Sequence, residues 1–122
     1  MKYTIQCSYG EIIDKLTILE IKLSKCNNEK QKINIKNEYD VLKHHKQCGM
    51  EMNELYEELK VINQILWDYE DKIRIKSKLK EFDREYISIS EQIHIHNDLR
   101  YEIKKRISIL TNSYIVEEKI YI

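Results

Sequence analysis

The chain has 122 residues, enough for one domain with a modest core, and its two Gly and no Pro leave it almost none of the residues that punctuate strands and turns. Lys plus Arg and Asp plus Glu each number 21, so the net charge is zero. That argues against a general nucleic-acid binder, which needs a basic excess to displace counterions, and against a polybasic membrane anchor, and it disfavours an RNA- or DNA-associated helical adaptor. The three Cys are scattered at 7, 26 and 48 and read as reduced thiols. With no apolar leader and no apolar run of spanning length, a cytoplasmic location is expected.

Residues 2 to 7 alternate, with Tyr3, Ile5 and Cys7 on one side, which is strand period. Ser8-Tyr9-Gly10-Glu11 then has capping-box spacing and opens a first helix. Ile12, Leu16, Leu19, Leu23 and Cys26 step along it as a heptad seam, widened by Ile13 and Ile21, until Asn27-Asn28. A weaker second helix is expected from about Glu29 to Gln47, with Ile35, Tyr39 and Leu42 on one face and Gly49 as its C-terminal stop. The third helix carries Met52, Leu55, Leu59, Ile62, Leu66, Tyr69 and Ile73 on one seam, acidic at its start and basic at its end, as the helix dipole favours. The fourth carries Phe82, Tyr86, Ile89, Ile93, Ile103, Ile107 and Leu110. The break near Lys80 to Asp83 is weakly marked, with Asp83 as a candidate N-cap and one continuous bent helix as the alternative. Beyond Thr111-Asn112-Ser113, Tyr114, Val116, Ile120 and Ile122 share a parity. The expectation is an all-α fold: one helical domain over residues 1–122, an antiparallel bundle of about four long amphipathic helices. A short two-stranded ribbon is expected to pair the N- and C-terminal segments, packed on the helices or on a second subunit.

The fourth seam turns polar at His96 and Arg100 before becoming apolar again. An Arg at such a position needs a partner or water, because an unpaired buried charge costs several kcal/mol. If the third and fourth helices form an antiparallel hairpin turning near residue 81, residue n faces roughly 162 − n. His96 then falls opposite Leu66 and Trp67, and Arg100 opposite Ile62 and Asn63, with Glu70 and Asp71 one turn away. Asn63, Trp67, Glu70, Asp71, Arg74, His96, Asn97 and Arg100 are therefore the candidate ligand residues, at one level of the helices where bundles build sites. The competing reading is structural. Glu70 pairs with Arg74 at i,i+4, Asn97 and Asp98 face water, and Arg100 makes a buried salt bridge that fixes register.

Other chemistry has no motif to carry it. Two Gly cannot build a phosphate loop, and there is no Gly-x-Ser-x-Gly, Cys-x-x-Cys or His-Glu-x-x-His. His44 and Cys48 supply at most half a metal site, so no metal and no cofactor is expected.

One segment, Gly10-Glu11-Ile12-Ile13-Asp14-Lys15-Leu16-Thr17-Ile18-Leu19-Glu20-Ile21-Lys22, is distinctive. It is followed by Leu66-Trp67 with Glu70-Asp71 and Ile73-Arg74, then Phe82-Asp83, Asn97-Asp98-x-Arg100 and Glu117-Glu118-Lys119. Across nearly the whole chain, this set resembles a family of short uncharacterised helical proteins from bacteria and large DNA viruses. The resemblance implies a weak link to surface-polysaccharide genes, and a host cytoplasm or virion if the source is viral. It supplies no catalytic residue. The leading expectation is a non-enzymatic, self-associating protein, a homodimer whose polar level sets register or serves as an accessory binding module in a glycan-related pathway. The alternative is a small-molecule enzyme or binding protein for an anionic ligand such as a nucleotide sugar, with Arg74 and Arg100 on the anion, Trp67 stacking, and His96 or Glu70 moving protons.

Overall fold

A computed structural model describes residues 1–122. It holds four α-helices and no strand: α1 (Tyr9–Lys25), α2 (Glu29–Leu42), α3 (Met50–Lys78) and α4 (Arg84–Leu110), with a short 3-10 turn at Lys43–His45. Ser8 caps α1, its Oγ accepting from the Glu11 amide at 3.2 Å. The reciprocal arm of the capping box is not made, because the Glu11 carboxylate accepts from Lys104 Nζ of α4 at 2.7 Å. Asn28 caps α2, accepting from the Gln31 amide at 3.0 Å. α2 stops at Leu42, short of the expected Gln47. Gly49 therefore starts α3 rather than closing α2, and its φ of 147° lies where a side chain is strained.

The weakly marked break does separate two helices. Lys80 takes a left-handed φ of 56°, its amide donates to the Ser77 carbonyl at 3.1 Å, and the Glu81 amide donates to the Lys76 carbonyl at 2.9 Å. This is the Schellman closure, normally built on Gly. Asp83 then caps α4, accepting from the Tyr86 amide at 2.9 Å and gripping Lys76 Nζ at 3.0 Å. The same closure ends α4, with Asn112 at φ 51° and the Ser113 amide on the Ser108 carbonyl at 2.8 Å.

α3 and α4 form an antiparallel hairpin: Tyr69 packs on His96 with ring centroids 5.6 Å apart, and Arg106 faces Glu58 at 3.9 Å. α1 packs on both helices, and α2 packs mainly on α1. Ile13 and Leu16 of α1, Met52, Leu55, Tyr56 and Leu59 of α3, and Ile103 and Ile107 of α4 form the core. Each fully buried aliphatic side chain here contributes about 1.5–3 kcal/mol. Gly10 lets α1 meet α4 closely. A Cβ there would lie 2.2 Å from the Lys104 carbonyl oxygen, and the Gly10 amide donates to Ser108 Oγ at 2.9 Å.

The expected terminal ribbon does not form. Tyr3 and Ile5 are 83% and 87% exposed, and no backbone hydrogen bond joins residues 2–7 to the tail. The tail turns to α4 instead: Glu118 meets Lys105 at 3.0 Å and Tyr101 at 3.2 Å, Lys119 meets Asp98, and the Tyr121 hydroxyl donates to Glu102 at 3.2 Å. Charged residues 117–119 find their complements on the helix. A two-stranded ribbon has too little apolar burial to compete.

Candidate functional site

At 17 residues α1 is roughly 25 Å long, whereas the 29 residues of α3 reach roughly 43 Å. α1 runs alongside α3 as far as Trp67 and Asp68, where Lys25 ends it, and leaves the hairpin uncovered beyond that level. The polar residues gather on either side of that level.

Their centre is Asp14, whose side chain is 2% exposed. Arg100 donates to it through two nitrogens, Nε to Oδ1 at 3.0 Å and Nη2 to Oδ2. Asn63 Nδ2 donates to the same Oδ1 at 2.9 Å and to Thr17 Oγ1 at 2.8 Å. The Thr17 hydroxyl in turn donates to the Asp14 carbonyl at 2.8 Å. Lys104 Nζ adds a second cationic group 3.8 Å from Asp14, and it also meets Glu11. A buried carboxylate is tolerated only when paired and hydrogen-bonded in this manner. The Asp14 hydrogen bonds push the Arg100 pKa further up, so the guanidinium is charged at any working pH.

Arg100 is not consumed by this pair. Its side chain is 30% exposed, and Nη1 makes no hydrogen bond within the protein. It lines a cleft of about 440 Å³ together with Asn63, Trp67, Glu70, Asp71, Arg74 and Asn97, over a floor of Ile18 and Leu66. Glu70, Asp71 and Arg74 make no ion pair within 4 Å, so the i,i+4 bridge between Glu70 and Arg74 is absent and all three face the opening. His96 is the exception among the candidates. Its Nδ1 lies 2.7 Å from the Gln92 carbonyl and its ring packs on Tyr69, so it belongs to the hairpin seam.

Asp14, Thr17 and Lys104 escaped the sequence reading. The apolar seam through Ile12 and Leu23 suggested one face for α1, but those two are only half-buried, while Ile13 and Thr17 are 0% exposed. The buried face is rotated so that Asp14 points inward. The available signal was Asp14 itself, a carboxylate flanked by Ile13 and Leu16 and in need of a cation.

The family model described as a family of unknown function, DUF6165, matches residues 1–122. The chain belongs to the DUF6165 family. No curated protein and no solved structure matches it. In this DUF6165 chain the distinctive segment Gly10 to Lys22 is the part of α1 that meets α4 through Gly10, holds Asp14 and Thr17, and floors the cleft with Ile18. No helix is long and apolar enough to cross a membrane.

Proposed function

We propose that this protein is a non-enzymatic binding module for a small anionic ligand, held in the cleft between α3 and α4 by Arg100 and Arg74. One observation carries the reading: Arg100 is locked by a buried carboxylate on one edge, keeps donors free of any partner in the protein, and shares the cleft with Arg74, which has no ion-pair partner. A guanidinium fixed in advance loses little freedom on binding and presents a fork to a carboxylate or phosphate. Trp67 offers a face for a ring, and Asn97 offers an amide. His96, the best proton carrier among the candidates, is turned into the hairpin seam, which favours binding over acid–base chemistry.

The test is a thermal-shift screen with phosphate, citrate, nucleotides and sugar phosphates. A ligand at one hundred times its Kd adds about 2.7 kcal/mol, worth several degrees for a domain of this size. Arg74→Ala removes an exposed, unpaired side chain, so stability stays within about 0.5 kcal/mol while the shift disappears. No shift with any anion, or a shift that survives Arg74→Ala, overturns the reading.

A second reading, self-association as a homodimer, rests on the opposite face of the hairpin. There Val61 and Leu99 are 51% and 45% exposed in a groove of about 750 Å³ rimmed by Glu54, Glu57 and Glu58. The far end of α3 and the turn after it carry Lys72, Lys78 and Lys80. A two-fold antiparallel pairing of two copies would set the acidic rim of each against the basic end of the other. Light scattering that gives 14.9 kDa at every concentration removes this reading, and a dimer dispersed by Leu99→Glu supports it.

A further inference from the structure

The cleft described above has a neighbour. A second hollow of about 460 Å³ opens where α1 ends and α2 begins, lined by Lys22, Lys25, Asn27, Gln31 and Asn34, and Trp67 is a wall of both. The two follow one another along α1, because Ile18 floors the first and Lys22, one turn later, lines the second. No carboxylate lines the second hollow. Lys22 makes no ion pair, the sole carboxylate near Lys25 is Asp68 at 4.0 Å, and the side-chain amides of Asn27, Gln31 and Asn34 make no hydrogen bond within the protein. Lys25 Nζ also stands 5.9 Å from the Trp67 ring centroid. Two guanidinium groups line one hollow together with Glu70 and Asp71, two ammonium groups line the other, and the indole is a wall of both.

We propose that the two hollows are one bipartite site for a ring-bearing molecule of nucleotide size with an anionic group at each end. This rests on the cleft reading and specifies its ligand. One anionic group meets the guanidinium pair of Arg100 and Arg74. The ring lies across Trp67, where a flat π-face or an apolar ring face is favoured. The second anionic group, of phosphate type, meets Lys22 and Lys25, which act as mobile point charges, and the three amides donate to it or to hydroxyls beside it. Asp14, which fixes Arg100, precedes Lys22 by eight residues, so the two cationic centres stand on the order of 12 Å apart along the helix. Flexible lysine side chains adjust that span. A lone inorganic anion reaches one end only.

Trp67 is the single tryptophan, so its emission reports on this site alone. The experiment titrates adenosine 3′,5′-bisphosphate, adenosine 5′-monophosphate, adenosine and inorganic phosphate into the wild type, Arg74→Ala and the double variant Lys22→Glu/Lys25→Glu. All three positions are exposed, and circular dichroism checks that each variant is folded. The expected result is a change in Trp67 emission with the bisphosphate binding at least tenfold tighter than the monophosphate. The lysine reversal abolishes that advantage and leaves the phosphate response, which Arg74→Ala removes. Bisphosphate binding that is no tighter than monophosphate binding, or that is indifferent to the lysine reversal, overturns the bipartite site while an Arg74-dependent phosphate response leaves the cleft reading standing. Binding that depends on the lysines but not on Arg74 overturns both, as does an emission that no probe alters.

Discussion

Arg100 on α4 grips Asp14 on α1 through two nitrogens, and the two partners differ in exposure: 30% for the arginine side chain, 2% for the aspartate. The pair joins helices separated by most of the chain. Arg100→Ala strands a buried carboxylate with only Asn63 and the more distant Lys104 for company. A loss of about 3–5 kcal/mol is expected, read from urea denaturation. Replacing both residues with Leu removes the stranded charge, and the double variant is expected to be more stable than Arg100→Ala. A double variant no more stable than the single one contradicts this account of the pair.

Gly10 is fixed by the backbone of α4 and not by its own flexibility. Gly10→Ala drives a methyl to 2.2 Å from the Lys104 carbonyl, and backbone cannot step aside as a side chain can. A loss of about 1–3 kcal/mol, at the upper end of that range, is expected in thermal unfolding. An unchanged melting temperature would mean that α1 does not pack this closely.

Two helix ends in this chain use left-handed residues other than Gly, Lys80 at φ 56° and Asn112 at φ 51°. Lys80 carries the larger strain, because Asn tolerates that region better. Lys80→Gly is expected to stabilise the protein by up to about 1 kcal/mol, with Asn112→Gly giving less. The order of the two melting temperatures is the check.

Tyr56 holds the single buried side-chain oxygen without a hydrogen-bond partner. Burial, and then the neighbouring Glu20 carboxylate, push its pKa well above the ordinary value near 10.0. The folded state therefore binds the phenolic proton more tightly than the unfolded state does. Its contribution is complete below about pH 10 and is lost as pH rises above that value. Tyr56→Phe removes an unsatisfied hydroxyl, so it is expected to be neutral or stabilising at pH 7, and its advantage over wild type should widen above pH 10. The difference in melting temperature between the two proteins, followed from pH 8 to pH 11, is the measurement. A constant difference contradicts the assignment.

The tail is held by surface charge. Hydrogen bonds from Lys105 and Tyr101 lower the Glu118 pKa, so its contribution is present above the ordinary carboxylate range and fades as pH falls through it. Cutting the chain after Ser113 is expected to cost little, about 1 kcal/mol or less, because exposed ion pairs contribute little. A larger loss in denaturant titration would show that the tail takes part in the core.

The long elements were legible because their seams are long. Met52 to Ile73 keeps helical spacing through seven apolar residues, and α3 covers them all. The hairpin register also followed from helix geometry. Asn63 and Arg100, expected at one level, share the same oxygen of Asp14. What was hidden depended on a third helix. The apolar count of α1 favoured Ile12 and Leu23, yet its buried face is decided by the close approach at Gly10 and by the cations that Asp14 meets on α4. Those are tertiary facts, and no local periodicity contains them. The terminal ribbon failed for a related reason. Alternation in Tyr3 to Cys7 and Tyr114 to Ile122 expresses a strand preference, but charges at Glu118 and Lys119 had partners on α4 that pairing could not replace.

The most direct test of the binding proposal is a two-dimensional ¹H–¹⁵N spectrum of the arginine side chains during titration with inorganic phosphate. Four arginines give four Nε–H signals: Arg74, Arg84, Arg100 and Arg106. Arg100 Nε–H, hydrogen-bonded to Asp14, should be sharp and slow to exchange before any ligand is added. The account predicts that Arg74 and Arg100 shift together and saturate with a single Kd while Arg84 and Arg106 stay in place. Four signals that move alike without saturating, or none that moves, would contradict a binding site in the cleft.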